Sequence, residues 1–261
     1  MAGILKVDQI QNTAGVQIMD LQNDNLRIWN GSSYAEMTTP GALIGIKTYT
    51  SQNGNWADRS QSGGSGTWTK PAGCGHVLVY VTGGGGGARC NDNNYRGGGG
   101  GAGATTIKYI DVSSVNSVNY TYGGGGSYVR NGGRAGSGGT SSFGSYCTAS
   151  GGSGGYTDNP YEGGRGGDAS GGDINLPGGP GSMSHGSNNE NVGGMSFWHK
   201  AGSHHHNENN GAENTHGQWG SGGGHGYYSQ NSYAYGNSNG GAGCVIAVSY
   251  THLTLPTKRI V

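Results

Sequence analysis

Residues 76–87 read HVLVYVTGGGGG, and the break within this stretch decides the fold. Residues 76–82 are mostly β-branched or aromatic, which predicts a strand that ends where the glycine run 83–87 begins. A glycine run has no side chains to bury, so any order beyond residue 82 has to come from backbone hydrogen bonds.

Three further segments outside the glycine runs have the composition of strands. Residues 105–112 and 117–122 alternate β-branched or aromatic residues with polar ones, and a second glycine run, 123–126, ends the latter. Residues 244–247 (CVIA) lie beyond the last glycine of the chain and are predicted to close the same sheet. That long-range pairing would make the glycine-rich part of the chain an insertion held at both ends.

Glycine is concentrated in one part of the chain. Of 60 glycines, 11 precede residue 83 and none follows residue 243, which leaves 49 between these positions. The only Ile, Leu and Val residues in the stretch 123–243 are Val129, Ile174, Leu176 and Val192. Four buried aliphatic side chains contribute under about 10 kcal/mol, whereas ordering a segment of this length costs on the order of 100 kcal/mol. A conventional hydrophobic core is therefore excluded for this segment.

Two alternatives remain for the glycine-rich segment: disorder, which its composition favours, and polyglycine II helices. A polyglycine II helix has about three residues per turn and no internal hydrogen bonds, so its N–H and C=O groups point outward to neighbouring helices. Without Cβ atoms such helices approach closely from all sides. The runs 97–103, 123–126, 163–167 and 222–226 are long enough for one or two turns each. Side by side they predict a sandwich whose loops emerge at its ends.

The N-terminal part of the chain has a different composition. Short apolar runs are separated there by turn signals, of which Asn30-Gly31 is typical of a hairpin. We therefore predict an all-β, irregular fold class: short N-terminal strands, a small β-sheet, then a glycine-rich polyglycine II sandwich with long loops and essentially no α-helix. The predicted domains are an N-terminal segment at 1–45 and a glycine-rich domain at 46–247.

The C-terminal residues 248–261 are interpreted separately. The sequence VSYTHLTLPT at 248–257 resembles the translation of a transposon adapter used in sequencing libraries, over ten consecutive residues. We therefore predict that 248–261 is adapter read-through and that the natural sequence breaks off near Ala247.

Charge and motifs argue against several classes of function. The 14 basic and 14 acidic residues balance, so nucleic acid is not an expected partner. No apolar run of about 18 residues predicts a membrane span, and the N-terminus lacks a signal-peptide pattern. The glycine run 83–87 follows a strand but opens no helix, which argues against a dinucleotide-binding loop. No carboxylate pair or catalytic motif occurs in a convincing context, so we expect neither an enzyme nor a cofactor.

Histidine and cysteine give weaker signals. Imidazole is the commonest metal ligand, and His204, His205 and His206 are the weak metal candidates. The spacing offers no helical i, i+4 pair and the flanking asparagines are typical of a polar surface loop, so we predict no metal site. The four cysteines lie far apart without a C-x-x-C motif, which predicts free, buried thiols.

The aromatic residues of the glycine-rich region are the candidate binding residues. They lie among Asn, Ser, Gly and His, a composition that also occurs in antibody binding loops. Rigid rings beside small polar residues suit contact with a protein or a saccharide. The alternative is that these rings shield the glycine scaffold, and the composition favours neither. The candidates are Tyr156, Tyr161, Phe197, Trp198, Trp219, Tyr227, Tyr228, Tyr233 and Tyr235.

Several motifs resemble bacteriophage tail-fibre proteins. Glycine runs separated by aromatic, polar loops are similar to the tail-fibre tip adhesins of T-even phages, whose glycine segments form a polyglycine II sandwich. The segment WTKPAG at 68–73 resembles the glycine-rich domain of tail-fibre-like phage proteins, as do the segments 140–146 and 240–246. The motifs LKVDQIQN (5–12) and IWNGSS (28–33) are similar to the N-terminal parts of such virion proteins.

The resemblance implies a receptor-binding adhesin of a phage tail fibre, made in the host cytoplasm and carried on the virion tail. The implied partners are a bacterial cell-surface glycan or outer-membrane protein and other virion tail proteins, with a homotrimer as a candidate assembly. It implies neither nucleic-acid binding nor membrane insertion, and it assigns residues 1–45 to virion attachment or to the fibre. The alternative is a structural glycine-rich virion or extracellular spacer protein without its own ligand.

Overall fold

The computed structural model of the chain describes residues 9–11, 17–22, 25–29, 34–36, 42–52, 61–91, 96–130, 133–156, 163–183, 192–200, 204–205, 213–214, 216–226 and 236–251. This part of the chain contains strands and extended glycine-rich segments but no helix, and hence none that could span a membrane. In chain order the strands are β1 (Gln9–Gln11), β2 (Gln17–Gln22), β3 (Asn25–Trp29), β4 (Tyr34–Glu36), β5 (Leu43–Tyr49), β6 (Gly64–Thr69), β7 (His76–Thr82), β8 (Arg89–Asn91), β9 (Arg96–Gly98), β10 (Thr105–Asp111), β11 (Ser117–Tyr122), β12 (Val129–Arg130), β13 (Ser141–Phe143), β14 (Cys147–Ala149), β15 (Ala169–Ser170), β16 (Ile174–Leu176), β17 (His204–His205), β18 (Glu213–Asn214), β19 (His225–Gly226), β20 (Gly236–Asn237) and β21 (Cys244–Tyr250).

The N-terminal strands form a sheet of their own. Strands β1 to β4 pair in sequence order, and each pair is antiparallel. Gln22 pairs with Asn25, so β2 and β3 are joined by a two-residue connection. The short N-terminal strands that the apolar runs predict are therefore confirmed.

Two five-stranded antiparallel sheets follow. Sheet I has the order β16-β10-β7-β21-β5, and sheet II has the order β15-β14-β13-β11-β6. The C-terminal strand β21 lies between β7 and β5, so it closes sheet I across the glycine-rich region as predicted. Strand β11 (117–122) belongs to sheet II, where it pairs with β6 and β13, and not to the sheet of β7 and β10.

The two sheets pack face to face around a small hydrophobic core. In β7, Val77, Val79 and Val81 alternate inward and are fully buried. Trp68 and Phe143 of sheet II belong to the same core, and their ring centroids lie 5.8 Å apart in an edge-to-face arrangement. Successive side chains of a strand point to opposite faces of the sheet. The residues between the buried ones therefore face away from the core.

Segment 83–88 shows how the glycine runs are ordered. It donates backbone hydrogen bonds to three different segments in turn, 101–104, 136–139 and 238–241, and returns to each after three residues. This period of three is that of a polyglycine II helix. The bonds, each 2.8–3.0 Å long, run from Gly83 N to Ala104 O, Gly84 N to Gly139 O, Gly85 N to Gly241 O, Gly86 N to Gly101 O, Gly87 N to Gly136 O and Ala88 N to Ser238 O.

Segment 83–88 also accepts hydrogen bonds from three further segments, so it has six neighbours. Its carbonyl groups accept from residues 126–129, 152–155 and 223. Segment 99–104 likewise bonds to six neighbours. Among the described residues these hydrogen bonds arrange ten segments in three layers, which contain three, four and three segments. We call this set of ten segments the bundle. The upper layer is 134–140, 150–156 and 163–168, the middle layer is 123–128, 83–88, 99–104 and 177–182, and the lower layer is 238–243, 221–224 and 192–195.

The strands of both sheets run directly into the bundle. Strand β7 continues as segment 83–88, segment 99–104 continues as β10, and segment 238–243 continues as β21. The sheets therefore close one end of the bundle, and the other end, called the outer end, carries the short strands β8, β9 and β12. The predicted fold class is confirmed: the described chain is all-β, with a polyglycine II sandwich and no α-helix.

The predicted domain boundaries fall inside strands. Strand β5 spans residue 45, and β21 continues through Tyr250. Beyond that strand, Thr251 N donates to Ala42 O at 2.9 Å, and Ala42 N donates to Thr251 Oγ1 at the same distance. Residues 248–251 thus take part in sheet I, residues 252–261 lie outside the described residues, and the origin of 248–261 stays a prediction.

Candidate functional site

The upper layer of the bundle presents an outward residue at every third position. Residues three apart lie on one side of a polyglycine II helix, because it has three residues per turn. The residues between the outward positions are mostly glycine and face neighbouring segments. The outward residues, called the upper face, are Arg134, Ser137, Thr140, Ser150, Ser153, Tyr156, Arg165 and Asp168.

The outer end of the upper face combines an aromatic ring with cations. The guanidinium carbon of Arg134 lies 5.3 Å from the ring centroid of Tyr156, a cation–π contact. Arg165 is exposed on the adjacent segment, whose carbonyl at this residue accepts from Ser153 N at 2.8 Å. A ring with flanking guanidinium and hydroxyl groups can stack on a sugar and bind its hydroxyl or anionic substituents.

Three of the predicted aromatic residues meet on the opposite side of the molecule, beside the outer surface of sheet I. The rings of Phe197 and Trp198 are perpendicular, with centroids 4.8 Å apart, and Trp219 lies 6.4 Å from Trp198. Tyr80 of β7 completes the group, with its ring 5.3 Å from Trp198 and 6.4 Å from Phe197. We call these four residues the aromatic cluster.

Hydrogen bonds tie both tryptophans of the aromatic cluster into the fold. Trp198 Nε1 donates to Thr82 Oγ1 at 2.9 Å, and Thr82 shares a buried 2.8 Å hydrogen bond with Thr105. The backbone N–H of Trp219 donates to the side-chain oxygen of Gln52 at 2.7 Å. Phe197 makes no comparable polar contact and is 49% exposed, so it is the cluster member most accessible to a partner.

Trp219 also occupies an unusual backbone conformation. Its φ is 48°, and that of Gly220 is 82°, so both residues of this tight turn are left-handed. A bulky residue with positive φ costs about 1–2 kcal/mol. The hydrogen bond from Trp219 N to the side-chain oxygen of Gln52 and the turn bond from Ser221 N to Gln218 O hold the turn in place. Trp219 therefore has a structural role in the turn.

Tyr80 is not among the binding residues predicted from the sequence. This residue lies in the predicted strand 76–82, and its place in the alternation with Val79 and Val81 puts its ring on the outward side. The signal in the sequence that could have identified Tyr80 is an aromatic residue on the outward side of the strand that precedes the first glycine run.

The family comparison covers both the bundle and the sheets. Residues 58–250 match the model of a family described as a glycine-rich domain. The chain belongs to this family. The match includes every strand of sheets I and II except β5, so the glycine-rich domain comprises the sandwich together with the strands that close it. No curated protein matches the chain.

The described part of the glycine-rich domain contains only some of the predicted site residues. It brings Phe197, Trp198 and Trp219 together and places Tyr156 on the other side of the molecule. The candidates outside the described residues are Tyr161, His206, Tyr227, Tyr228, Tyr233 and Tyr235. The backbone of His204 and His205 forms β17, and no group of three His, Cys, Asp or Glu residues suited to a metal ion occurs in the described part of the chain.

Three of the cysteines are free and buried in the glycine-rich domain, which confirms the prediction for Cys74, Cys147 and Cys244. Burial raises the pKa of the Cys147 thiol to about 11 and that of Cys244 to about 12. The hydrogen bond between Cys244 and Thr82 offsets part of the second shift. Both thiols are therefore protonated near neutral pH, and since the thiolate is the nucleophile, neither is a reactive group.

Proposed function

We propose that the chain is a receptor-binding adhesin of a phage tail fibre that recognises a bacterial cell-surface glycan or outer-membrane protein. The observation that carries the proposal is the bundle. Its two central segments, 83–88 and 99–104, are each held by backbone hydrogen bonds to six neighbouring segments. A scaffold of this kind tolerates changes in the residues that it presents, because side chains contribute little to its order. Binding residues carried by a rigid scaffold are also preorganised, which lowers the entropy cost of binding.

We propose that recognition takes place at the outer end, away from the two sheets. The connections at the sheet end are short strands and turns, such as β13 and β14, that are engaged in sheet II. At the outer end, the guanidinium group of Arg134 lies over the ring of Tyr156 in a cation–π contact. An aromatic anchor in an interface commonly contributes about 2 kcal/mol or more, roughly thirtyfold in affinity.

Binding of labelled protein to bacterial cells and to arrays of their surface glycans tests this proposal. We expect saturable binding to some strains and a loss of tenfold or more in affinity for Tyr156→Ala and for Arg134→Ala. The matched control is Thr140→Ala, which changes an exposed residue of the same face at the sheet end. Equal losses for all three variants, or none, would contradict recognition at the outer end.

The second candidate function is a structural spacer of the virion or the extracellular space without a ligand of its own. The engagement of Trp198 and Trp219 in hydrogen bonds to the fold favours it, because these aromatic residues then serve the scaffold. A folded protein that binds no strain and no glycan would support the spacer. For the adhesin we propose a place on the virion tail, with other tail proteins as partners, and no enzymatic role; tail or baseplate genes beside its own would support that assignment.

A further inference from the structure

The outward surfaces of the two sheets differ in chemistry. The outward residues of sheet II are polar, as the exposed Ser65, Thr67 and Thr69 of β6 and Ser117, Asn119 and Thr121 of β11 illustrate. The outward residues of sheet I are mainly apolar. Their registers form two rows across the sheet, Tyr109–Leu78–Val248–Ile46 and Ile174–Ile107–Tyr80–Ile246, and the second row ends at the polar Thr48 of β5. We call these two rows the apolar face.

The apolar face is accessible in the single chain. Ile46 is 58% exposed and Ile174 is 51% exposed, at opposite edges of the sheet, and Tyr109 is also exposed. The surface continues over Phe197, which stacks on Tyr80, to the exposed Met195 of the lower layer. Large contiguous apolar surfaces are uncommon on monomeric soluble proteins and mark interaction sites.

The dimensions of the apolar face fit a stable protein interface. The whole outer surface of sheet I consists of four seven-residue strands and the three-residue β16. With strands about 4.8 Å apart and about 3.3 Å per residue, its projected area is about 490 Å². Side-chain relief and the neighbouring Phe197 and Met195 raise the accessible area above this projection. A standard interface buries about 800 Å² of accessible surface on each partner. The projected sheet surface alone is smaller than this, and the exposed Phe197 and Met195 extend it towards the size of a standard interface.

We propose that the partner is a second copy of this chain, bound with the two apolar faces packed against each other. A twofold contact places the same patch on both sides, so any charge within it would oppose itself or its neighbours. The rows of the apolar face contain no ionisable group other than the tyrosines. The ionisable groups beside the rows lie at the edges of the face. His76, which pairs with Asp111, stacks on the ring of Tyr109 with centroids 5.0 Å apart. Asp173 accepts from Tyr109 N at 2.8 Å and forms an ion pair with Lys108 at 3.6 Å, so this charge is balanced within one chain.

Sheet packing supplies the geometry of this contact. Two antiparallel sheets stack about 10 Å apart when apolar side chains fill the space between them. Sheets I and II already pack in this way within one chain, and the dimer would repeat the arrangement on the outer side of sheet I. Each upper face would remain free on the far side of its own chain.

Analytical ultracentrifugation of the full chain tests the dimer. We expect the wild type to sediment at twice the 26.4 kDa chain mass in the micromolar range. Ile46→Lys places a charge at one end of the first row, and both copies carry it, so we expect dimer affinity to fall about 100-fold or more. Tyr109→Lys tests the other end of the same row in case the first variant does not fold.

Ser65→Lys is the matched control, because it is an exposed outward residue on the edge strand β6 of sheet II, as Ile46 is on the edge strand β5 of sheet I. It should leave the dimer intact, and circular dichroism should confirm that each variant is folded. A wild type that stays monomeric at about 100 μM, a trimer, or a dimer that persists in both Ile46→Lys and Tyr109→Lys would overturn the proposal. A monomer would indicate instead that another part of the chain or another protein covers the face.

Discussion

Glycine residues serve two different purposes in this chain. Gly73, Gly144, Gly171 and Gly220 have positive φ and lie at turns, where a left-handed backbone favours glycine. The glycines of the bundle are required by close approach: a Cβ atom on Gly100 would lie against the carbonyl oxygen of Gly86, well inside the 3.0 Å that real Cβ atoms respect. Since the neighbouring atoms belong to the backbone, no rotamer change relieves the contact.

A methyl group in the interior of the bundle should therefore be severely destabilising. We expect Gly100→Ala to lower the free energy of unfolding by about 3 kcal/mol or more, since overpacking against rigid backbone displaces whole segments. For a domain of this size the melting temperature should fall by roughly 6–12 °C. Thermal unfolding followed by circular dichroism measures the difference.

Gly133→Ala is the matched control for this measurement. A Cβ atom at Gly133 meets nothing within 4 Å, so the change should alter the free energy of unfolding by no more than about 1 kcal/mol, in either direction. Equal destabilisation by both substitutions would show that close contact between segments does not explain why the interior of the bundle is made of glycine.

The buried thiol of Cys244 predicts a loss of stability at high pH. Its pKa is raised from 9.0 to about 12 by burial, so the unfolded chain releases this proton at lower pH than the folded chain. The stabilising effect is fully present below pH 9 and is lost progressively as the pH rises from 9 towards 12. Urea unfolding at pH 8, 9 and 10 should show this decline. Cys147, whose pKa is raised to about 11, contributes to the same decline, so Cys244→Ala should make the decline shallower without abolishing it. An unchanged slope in that variant would contradict the assignment.

At the scale of elements, the sequence predicted the strands whose side chains are β-branched or aromatic. The predicted strands 76–82 and 117–122 match β7 and β11, and 105–112 matches β10 to within one residue. Strands β6, β13 and β14 were not predicted, because their glycine, serine and threonine residues give no alternation of apolar and polar side chains. The partner of β6 is the distant β11, which local composition does not indicate, whereas β13 and β14 are three-residue strands that pair with each other.

The spacing of the upper face was present in the sequence but was not recognised. Arg134, Ser137 and Thr140 recur every third residue, as do Ser150, Ser153 and Tyr156. Each register lasts only two or three turns before a connection resets it, so no continuous Gly-X-Y period runs through the chain. The meeting of Phe197 with Tyr80 could not be predicted, because it depends on how the lower layer returns to sheet I.

Strand β21 is the element whose truncation is most informative. Val248, Ser249 and Tyr250 pair with β7 on one side and with β5 on the other. A chain ending at Ala247 should lose several hydrogen bonds of about 1 kcal/mol each and unfold at a lower temperature. A chain ending at Thr251 should match the full chain in differential scanning calorimetry. If both truncated chains melt like the full chain, residues 248–250 contribute nothing to sheet I, whatever their origin.

At the scale of the whole molecule, stability has two sources with different side-chain requirements. The sheets are held by a conventional core around Trp68 and Phe143, whereas the bundle is held by hydrogen bonds between backbones. Eight segments enter or leave the bundle through strands of sheets I and II without an intervening loop: β7, β10, β11, β13, β14, β15, β16 and β21. This continuity predicts that the bundle and the sheets unfold together, since fraying of a segment pulls on the strand that continues it.

Amide hydrogen exchange tests this coupling. We expect the amides of segments 83–88 and 99–104, which are buried and bonded to neighbours on all sides, to exchange as slowly as those of β7, through global unfolding. The amides of β7 serve as the internal reference, because they belong to the hydrophobic core of the same molecule. Gly100→Ala should then accelerate exchange in β7 as well as in the bundle. If glycine amides instead exchange orders of magnitude faster than those of β7, the bundle opens independently, and the sheets alone form the cooperative unit.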